Sequence, residues 1–354
     1  MISGRQLVSL GVALVAAAAM VGGQPGGKQK PAPPVNARVA WPQAQRANLP
    51  ATLADGAAYE PAVFLDADRS VGTAPTPDRR ALRLVLRDGN GSVRTLRTLP
   101  LNVNPSIESP TLSGTDLVWA ESSRNREQLW TIDLASNRPA RLLTADVGDA
   151  RFYESQYDLV FAQGRVHWVA AGADDTTEIR SVALGGGAVS VRSESGAWSL
   201  SAWPWLINGV TAAGGTTVLR DMTTGQDRRV VSPGRGVTAC GPLWCRVVAF
   251  DKKGYPQIDV MRPDGSDRRR IAGGTAATAI ADNAVLDRFE IYSMQTDNSD
   301  LTGYYQVLAY DINRRSTVEI SPEATDVSYR AGVLWWSTGS QDQFVRHSLD
   351  LRTV

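Results

Sequence analysis

From about residue 50 onward the chain is written in short apolar runs rich in Val, Leu, Trp and Tyr, broken by Gly, Asp, Asn or Pro. Asp116-Leu-Val-Trp-Ala-Glu121 followed by Gln128-Leu-Trp-Thr-Ile-Asp-Leu134 is a clear pair. Such runs, punctuated every 8 to 12 residues or so by turn formers, predict β-strands, whereas a helix needs apolar residues recurring every three or four positions. No stretch past the N-terminal apolar segment sustains the helical period. The domain therefore reads as all-β.

Laid under one another, the runs repeat. Asp221-Met-Thr-Thr-Gly-Gln-Asp-Arg-Arg-Val-Val231 and Met261-Arg-Pro-Asp-Gly-Ser-Asp-Arg-Arg-Arg-Ile271 carry Gly, Asp and two Arg at the same offsets, 40 residues apart. Tyr310-Asp-Ile-Asn-Arg-Arg-Ser-Thr-Val-Glu-Ile320 and Ile132-Asp-Leu-Ala-Ser-Asn-Arg-Pro-Ala-Arg-Leu142 keep the strand, turn, strand order, and weaker copies stand at 86–96, 183–191 and 349–354. With Arg87, Asp133, Ala183, Asp221, Met261, Asp311 and Asp350 as equivalent positions, the steps are 46, 50, 38, 40, 50 and 39 residues. That is the size of a four-stranded propeller blade, and the expected fold is a seven-bladed β-propeller, with six or eight blades as alternatives.

Upstream of several turns stands a Gly with a Trp a few residues on, as in Gly114-Thr-Asp-Leu-Val-Trp119, Gly164-Arg-Val-His-Trp168, Gly241-Pro-Leu-Trp244 and Gly332-Val-Leu-Trp-Trp336. The Gly suits the first hairpin turn of a blade and the Trp its second strand. The last repeat ends soon after Asp350 and lacks an outer strand. An N-terminal strand, Asn36-Ala-Arg-Val-Ala-Trp41, is expected to supply it and close the ring.

The segment Gln257-Ile-Asp-Val-Met-Arg-Pro-Asp-Gly-Ser-Asp-Arg-Arg-Arg-Ile271 resembles the TolB-type β-propeller repeat, with its aliphatic strand, Asp-Gly turn and pair of basic residues. The resemblance covers most of the chain from about residue 50 and implies the propeller fold. The family's Trp-Ser-Pro-Asp-Gly blade opening is absent from the sequence, so TolB's role in envelope transport does not follow.

The N-terminus sets the expected compartment. Met-Ile-Ser-Gly-Arg5 precedes a charge-free run from Gln6 to Gly27 whose apolar core is Leu7 to Val21, the order of a signal peptide. The core is shorter than the ~20 residues of a membrane-spanning helix, and Ala17-Ala18-Ala19 offers a small-x-small cleavage site. Residues 1–24 are read as a signal peptide or uncleaved anchor, 25–34 as a Gly/Pro-rich linker, and 35–354 as a single propeller domain. The protein is thus expected to be extracytoplasmic, secreted or tethered, and monomeric. Lys and Arg number 37 against 36 Asp and Glu, a net charge of +1, which points away from nucleic acid and from acidic lipid surfaces.

Candidate chemistry is sparse. Two histidines, His167 and His347, are too few for an ordinary zinc site, and no Gly-x-Ser-x-Gly elbow presents a nucleophile. Acids expected in connections between second and third strands are Asp66, Asp68, Asp174, Asp175, Asp251, Asp297, Asp300 and Asp342. Paired, such acids could hydrolyse glycosidic bonds; unpaired, they cap turns. Thr296-Asp-Asn-Ser-Asp-Leu-Thr-Gly303 offers oxygen ligands that could hold calcium without matching an EF-hand, and no other cofactor is implied. The pairs Arg228-Arg229, Arg268-Arg269 and Arg314-Arg315 are expected on the opposite face, as solvated hairpin charges or a docking surface for a charged partner. Trp203 and Trp205 alternate on an extended segment, either as core or as a stacking platform.

Both cysteines lie in Cys240-Gly-Pro-Leu-Trp-Cys245. The repeat places Gly241 at a hairpin turn, so Cys240 and Cys245 flank it on paired strands, and in an exported protein the pair should be an oxidised structural staple. The function that emerges is a non-catalytic exported binding or scaffold module for envelope proteins or cell-wall glycans. Its ligand-binding candidates are Trp203, Trp205, Asp251, Asp297 and Asp300. The rival is a carbohydrate-active hydrolase or lyase using loop aspartates.

Overall fold

The computed structural model describes residues 33–124, 126–208, 217–231, 234, 236–339 and 344–354. The expected signal peptide, most of the linker and Asp342 lie outside them. The regular structure of the described residues is almost all strand, arranged in sheets whose strands follow one another in the sequence.

Four antiparallel strands, Glu60–Phe64, Ser70–Pro75, Ala81–Arg87 and Val93–Pro100, make the first sheet, and Ser106–Ser113, Asp116–Ser123, Arg126–Asp133 and Arg141–Thr144 the second. In the third, Asp149–Ala150 and Val160–Ala162 both pair with Arg165–Ala171, followed by Thr176–Ala183 and Ser190–Ser195. The fourth holds Trp198–Leu200, Trp205–Asn208, Val218–Asp221 and Asp227–Arg229, and the fifth Val237–Cys240, Cys245–Phe250, Pro256–Met261 and Arg269–Gly273.

The sixth sheet is a double one. Ala276–Thr278, Phe289–Gln295 and Tyr305–Asp311 run into the long strand Ser316–Arg330, and beyond it lie Val333–Thr338, Val345–Asp350 and the N-terminal strand Arg46–Pro50. The long strand changes partner part way: residues 316–324 pair with Tyr305–Asp311, and 325–330 pair with Val333–Thr338. It thus ends one four-stranded half and begins the next.

The core lies between sheets rather than in one central body. Val63, Val71 and Leu84 of the first sheet meet Leu117, Trp119 and Ile132 of the second, and Val118 and Leu129 meet Val166, Trp168 and Val182 of the third. Similar clusters join third to fourth, fourth to fifth, and fifth to the early half of the sixth. Another joins the two halves through Ile291, Val307, Leu334 and Trp336. The late half then packs on the first sheet, with Leu49, Val333 and Trp335 against Tyr59, Phe64 and Val85. Sheets stacked in series, each burying both faces against its neighbours, form a β-propeller fold.

The Gly-Trp signal has a simple basis. Gly114 and Gly332 take left-handed φ values of 59° and 90° at two-residue hairpins, which glycine adopts without a Cβ penalty. The paired tryptophans Trp119, Trp168, Trp244 and Trp336 are all buried between sheets.

The N-terminal segment departs from the expectation. Asn36-Ala-Arg-Val-Ala-Trp41 is not the outer strand. Asn36 Oδ1 accepts from the Arg38 amide and caps a single helical turn, Ala37–Ala40, as Asn favours. Trp41 then buries edge-on against Phe289 at 5.4 Å. The strand that pairs antiparallel with Val345–Asp350 is Arg46–Pro50, ten residues later, while Val35–Asn36 adds in parallel to the long strand at Val318 and Glu319.

Candidate functional site

Two insertions interrupt the regular sheets and meet. Residues 151–159 separate the two short first strands of the third sheet, and residues 279–288 replace the tight first hairpin of the sixth. Ser155 Oγ of the first insertion donates to Asp282 Oδ1 of the second at 3.0 Å, across 127 residues of sequence. Arg330, at the end of the long strand, points its guanidinium at the Glu154 and Pro110 carbonyls at 3.4 Å each. Residues of the second, third and sixth sheets are thereby gathered at one end of the fold.

Asp158 is the most buried acid of this gathering, with 4% of its surface exposed. Its carboxylate accepts from the Tyr153 amide and the Ser109 hydroxyl, both at 2.9 Å. Burial dominates nonetheless and pushes its pKa up from 3.8 to about 6, against the pull of those hydrogen bonds and of Arg330. Asp282 is also pushed up by burial, and Arg330 is pushed down for the same reason. The hydroxyls of Tyr157 and Tyr329 are pushed above their usual range by burial and the neighbouring acids.

The second insertion is fixed from outside. Arg246, buried on the second strand of the fifth sheet, donates to the Ile280 and Asp282 carbonyls at 3.2 Å and to Ala281 at 2.7 Å. Its ion pair with fully buried Glu290 is 2.8 Å, and Glu290 also accepts from the Ala284 amide at 2.8 Å. Arg246 is therefore a positioning residue, and the acids it helps place are engaged by the protein's own donors. None of these residues carries a repeat motif. The signal that could have found them is length, since the two 50-residue steps of the repeat are the ones that contain the two insertions.

The loop acids divide. Asp174, Asp175, Asp251, Asp297 and Asp300 do lie between second and third strands. Asp66 and Asp68 do not: they occupy the connection between the first and second strands of the first sheet, on the other side, where Asp66 pairs with Arg69 at 2.7 Å. Their spacing fitted a loop, but the strand before them is the first of its sheet. Asp251 accepts from the Lys253 and Tyr255 amides and so closes its own turn. Asp297 and Asp300 are exposed beside the short helix Ser299–Thr302. Ser299 Oγ, a would-be calcium ligand, is engaged with the Thr296 amide and the Tyr304 carbonyl.

Asp297 and Asp300 lie among exposed polar residues, Thr296, Asn298 and Thr302, with one exposed apolar side chain among them and others at nearby connections. Leu301 is 88% exposed, and Tyr305, Phe250 and Tyr255 are exposed at the matching ends of their strands in the fifth and sixth sheets. Val345 holds the same place in the late half, and Tyr304 Oη ties the helix to it by donating to the Gly339 carbonyl.

Trp203 and Trp205 are half-buried. Trp203 lies 3.8 Å, centroid to centroid, from the ring of buried His167, whose pKa burial lowers to about 4. Trp205 packs on the cluster between the fourth and fifth sheets, with Arg228 over its ring at 4.9 Å.

The hairpin arginines join sheets. Arg94 donates to the Leu134 and Ser136 carbonyls, Arg141 to Leu184, Arg192 to Met222, and Arg269 to Ile312. In each case a fourth-strand arginine reaches the turn after the third strand of the next sheet. Arg268 and Arg270 flank Asp259 instead, at 2.8 and 2.7 Å. Cys240 and Cys245 are cross-strand partners joined by a disulfide, with Cα atoms 4.0 Å apart.

No family model and no curated protein matches the chain. Solved structures do. An uncharacterized protein from Listeria monocytogenes EGD-e is 11% identical with a TM-score of 0.52, over 78% of this chain and 88% of that one. A puromycin-hydrolyzing peptidase of Mycobacterium tuberculosis is 14% identical with a TM-score of 0.51, over 89% of this chain and 53% of its own, so this chain spans about half that peptidase's length. TolB from Acinetobacter baumannii is 14% identical over 80% of this chain and 63% of its own, at a TM-score of 0.39. At these identities the likeness of the first two concerns the fold alone, and what they share with this chain is the β-propeller architecture.

Proposed function

We propose that this protein is an exported, non-catalytic binding module whose contact face is formed by the connections between second and third strands. Its sheets are read as seven four-stranded blades in a ring, the double sheet counting as two, with Arg46–Pro50 closing the last blade. The packing of the late half on the first sheet supports closure. Arg346 bonds to the Tyr59 carbonyl and Glu60, and Arg352 to the Leu65 carbonyl, which supports it further. Export is supported by the signal-type N-terminus and by the disulfide, a bond that persists in oxidising compartments.

The observation that carries the binding reading is the set of exposed apolar side chains Phe250, Tyr255, Leu301 and Tyr305 on neighbouring sheets. Apolar side chains grouped at matching strand ends have no folding role in solvent, and such groups mark interaction surfaces. Asp297 and Asp300 flank them as exposed acids. A centre of three aromatic side chains and one leucine, with charges of both signs at its edge, Asp297 and Asp300 on one side and Lys252 and Lys253 on the other, has the make-up of a protein–protein contact, so an envelope protein is the favoured partner over a cell-wall glycan. The test is in-cell crosslinking from a photoreactive residue at position 301. A discrete envelope-protein adduct supports the reading, and crosslinks to glycan alone, or to nothing, contradict it.

A further inference from the structure

A cavity of about 190 Å³ lies where the N-terminal turn and Arg46–Pro50 cover the double sheet. At about 30 Å³ per water, that is room for about six waters, or for a small acid of roughly ten heavy atoms. Its floor is apolar and flat: Trp336 stacks on His347 at 5.5 Å and 28°, with Ile320, Pro322 and Leu349 beside them.

Its rim is cationic. Arg46 donates to the carbonyls of Ala44 and Ala37 at 2.8 Å and of Trp41 at 3.0 Å. These bonds fix the guanidinium, yet no carboxylate among the described residues neutralises it. Arg38 lines the same cavity and is exposed, and its side chain has no hydrogen bond or ion pair among them either. Burial first, and the Arg38 charge second, push the pKa of Arg46 down, and that of His347 likewise. His347 adds no charge. Its lowered pKa favours the neutral ring; its Nδ1 donates to Asn48 Oδ1 and its Nε2 shares a hydrogen bond with Thr338 Oγ1, both at 2.7 Å. No Asp or Glu is among the described lining residues.

Arg97, Arg220 and Arg246 each have a carboxylate within 2.8 Å; Arg46, like Arg94 and Arg141, has carbonyls only among the described residues, but it shares its cavity with a second arginine. A half-buried arginine beside a second cation is costly, and an anion bound by both would relieve the repulsion and the hydration that Arg46 has lost. We propose that this cavity is a binding site for a small organic carboxylate with a flat apolar body, its carboxylate held by Arg38 and Arg46 and its body laid on Trp336.

Benzoate is the probe, titrated by calorimetry into the exported protein. Saturable one-to-one binding is expected, weakened at least about tenfold in R38E and less in R38K, the factor a charge-assisted hydrogen bond carries. Because Arg38 is exposed and its side chain unpartnered among the described residues, unliganded R38E should melt with the parent, so lost binding would not mean lost folding. Inorganic phosphate should bind more weakly, having no apolar body. Absence of saturable benzoate binding, binding indifferent to R38E, or phosphate bound as tightly as benzoate would each overturn the proposal. A crystal soaked in 4-iodobenzoate locates it: iodine density over Trp336 supports the site, and density elsewhere alone refutes it.

Discussion

The two ends of this fold use their side chains in opposite ways. Where the insertions 151–159 and 279–288 meet, polar groups are spent on one another: Ser109 and the Tyr153 amide on Asp158, Ser155 on Asp282, Arg246 on three carbonyls and Glu290. On the opposite face, Leu301, Tyr305, Phe250 and Tyr255 keep between 38% and 88% of their surface exposed among the described residues. The first arrangement is what stability asks for, and the second is what a surface kept for a partner looks like. Substitutions should therefore separate cleanly, with those at the insertions changing folding and those on the face changing association.

The sharpest break should come at Glu290. Truncation to Ala leaves Arg246 buried without its counter-ion and loosens the Ala284 amide, and we expect a loss of about 3–5 kcal/mol in denaturant unfolding. An unchanged midpoint would mean that the pair does not hold the insertion.

Next comes pH. Asp158 binds its proton more tightly folded, at about 6, than unfolded, near 3.8. Its contribution to stability is thus complete below the lower value and lost as pH rises through the upper one. Relative to D158N, the parent should lose about 2 kcal/mol of stability between pH 4 and pH 7, from 1.4 kcal/mol per pKa unit. Parallel pH curves for the two proteins would show that Asp158 is not buried as described.

The disulfide closes a very short loop, so replacing both cysteines by Ser should cost on the order of 2 kcal/mol. Both thiols found reactive toward alkylation in the mature protein would remove it as a staple. Smaller still is one inter-sheet arginine: R141A gives up its bond to the Leu184 carbonyl, for about 1 kcal/mol. No change there would put these arginines back among solvated surface charges.

The repeat was legible because turns and strand-two tryptophans impose residue types at fixed offsets, Gly for left-handed φ and Trp for inter-sheet packing. The closing strand was misplaced because Asn36 and Trp41 look β-compatible as a string. Only the buried pocket at Phe289 makes Trp41 turn inward, and the cap at Asn36 curls the chain first. The gathering of Asp158, Asp282 and Arg330 was not legible as chemistry, since residues 127 to 220 positions apart meet only once the sheets are stacked. Its trace was the two long repeat steps. The inter-sheet role of the hairpin arginines was also hidden, because their acceptors are backbone carbonyls of the next sheet, which have no residue signature.

The most direct test of the binding account pairs stability and association in one variant, L301D. Leu301 touches solvent almost entirely, so unfolding should shift by no more than about 0.5 kcal/mol. The partner captured through position 301 should then fail to co-purify with the L301D protein while still co-purifying with the parent. A folded L301D protein that retains the partner in full would contradict the assignment of this face.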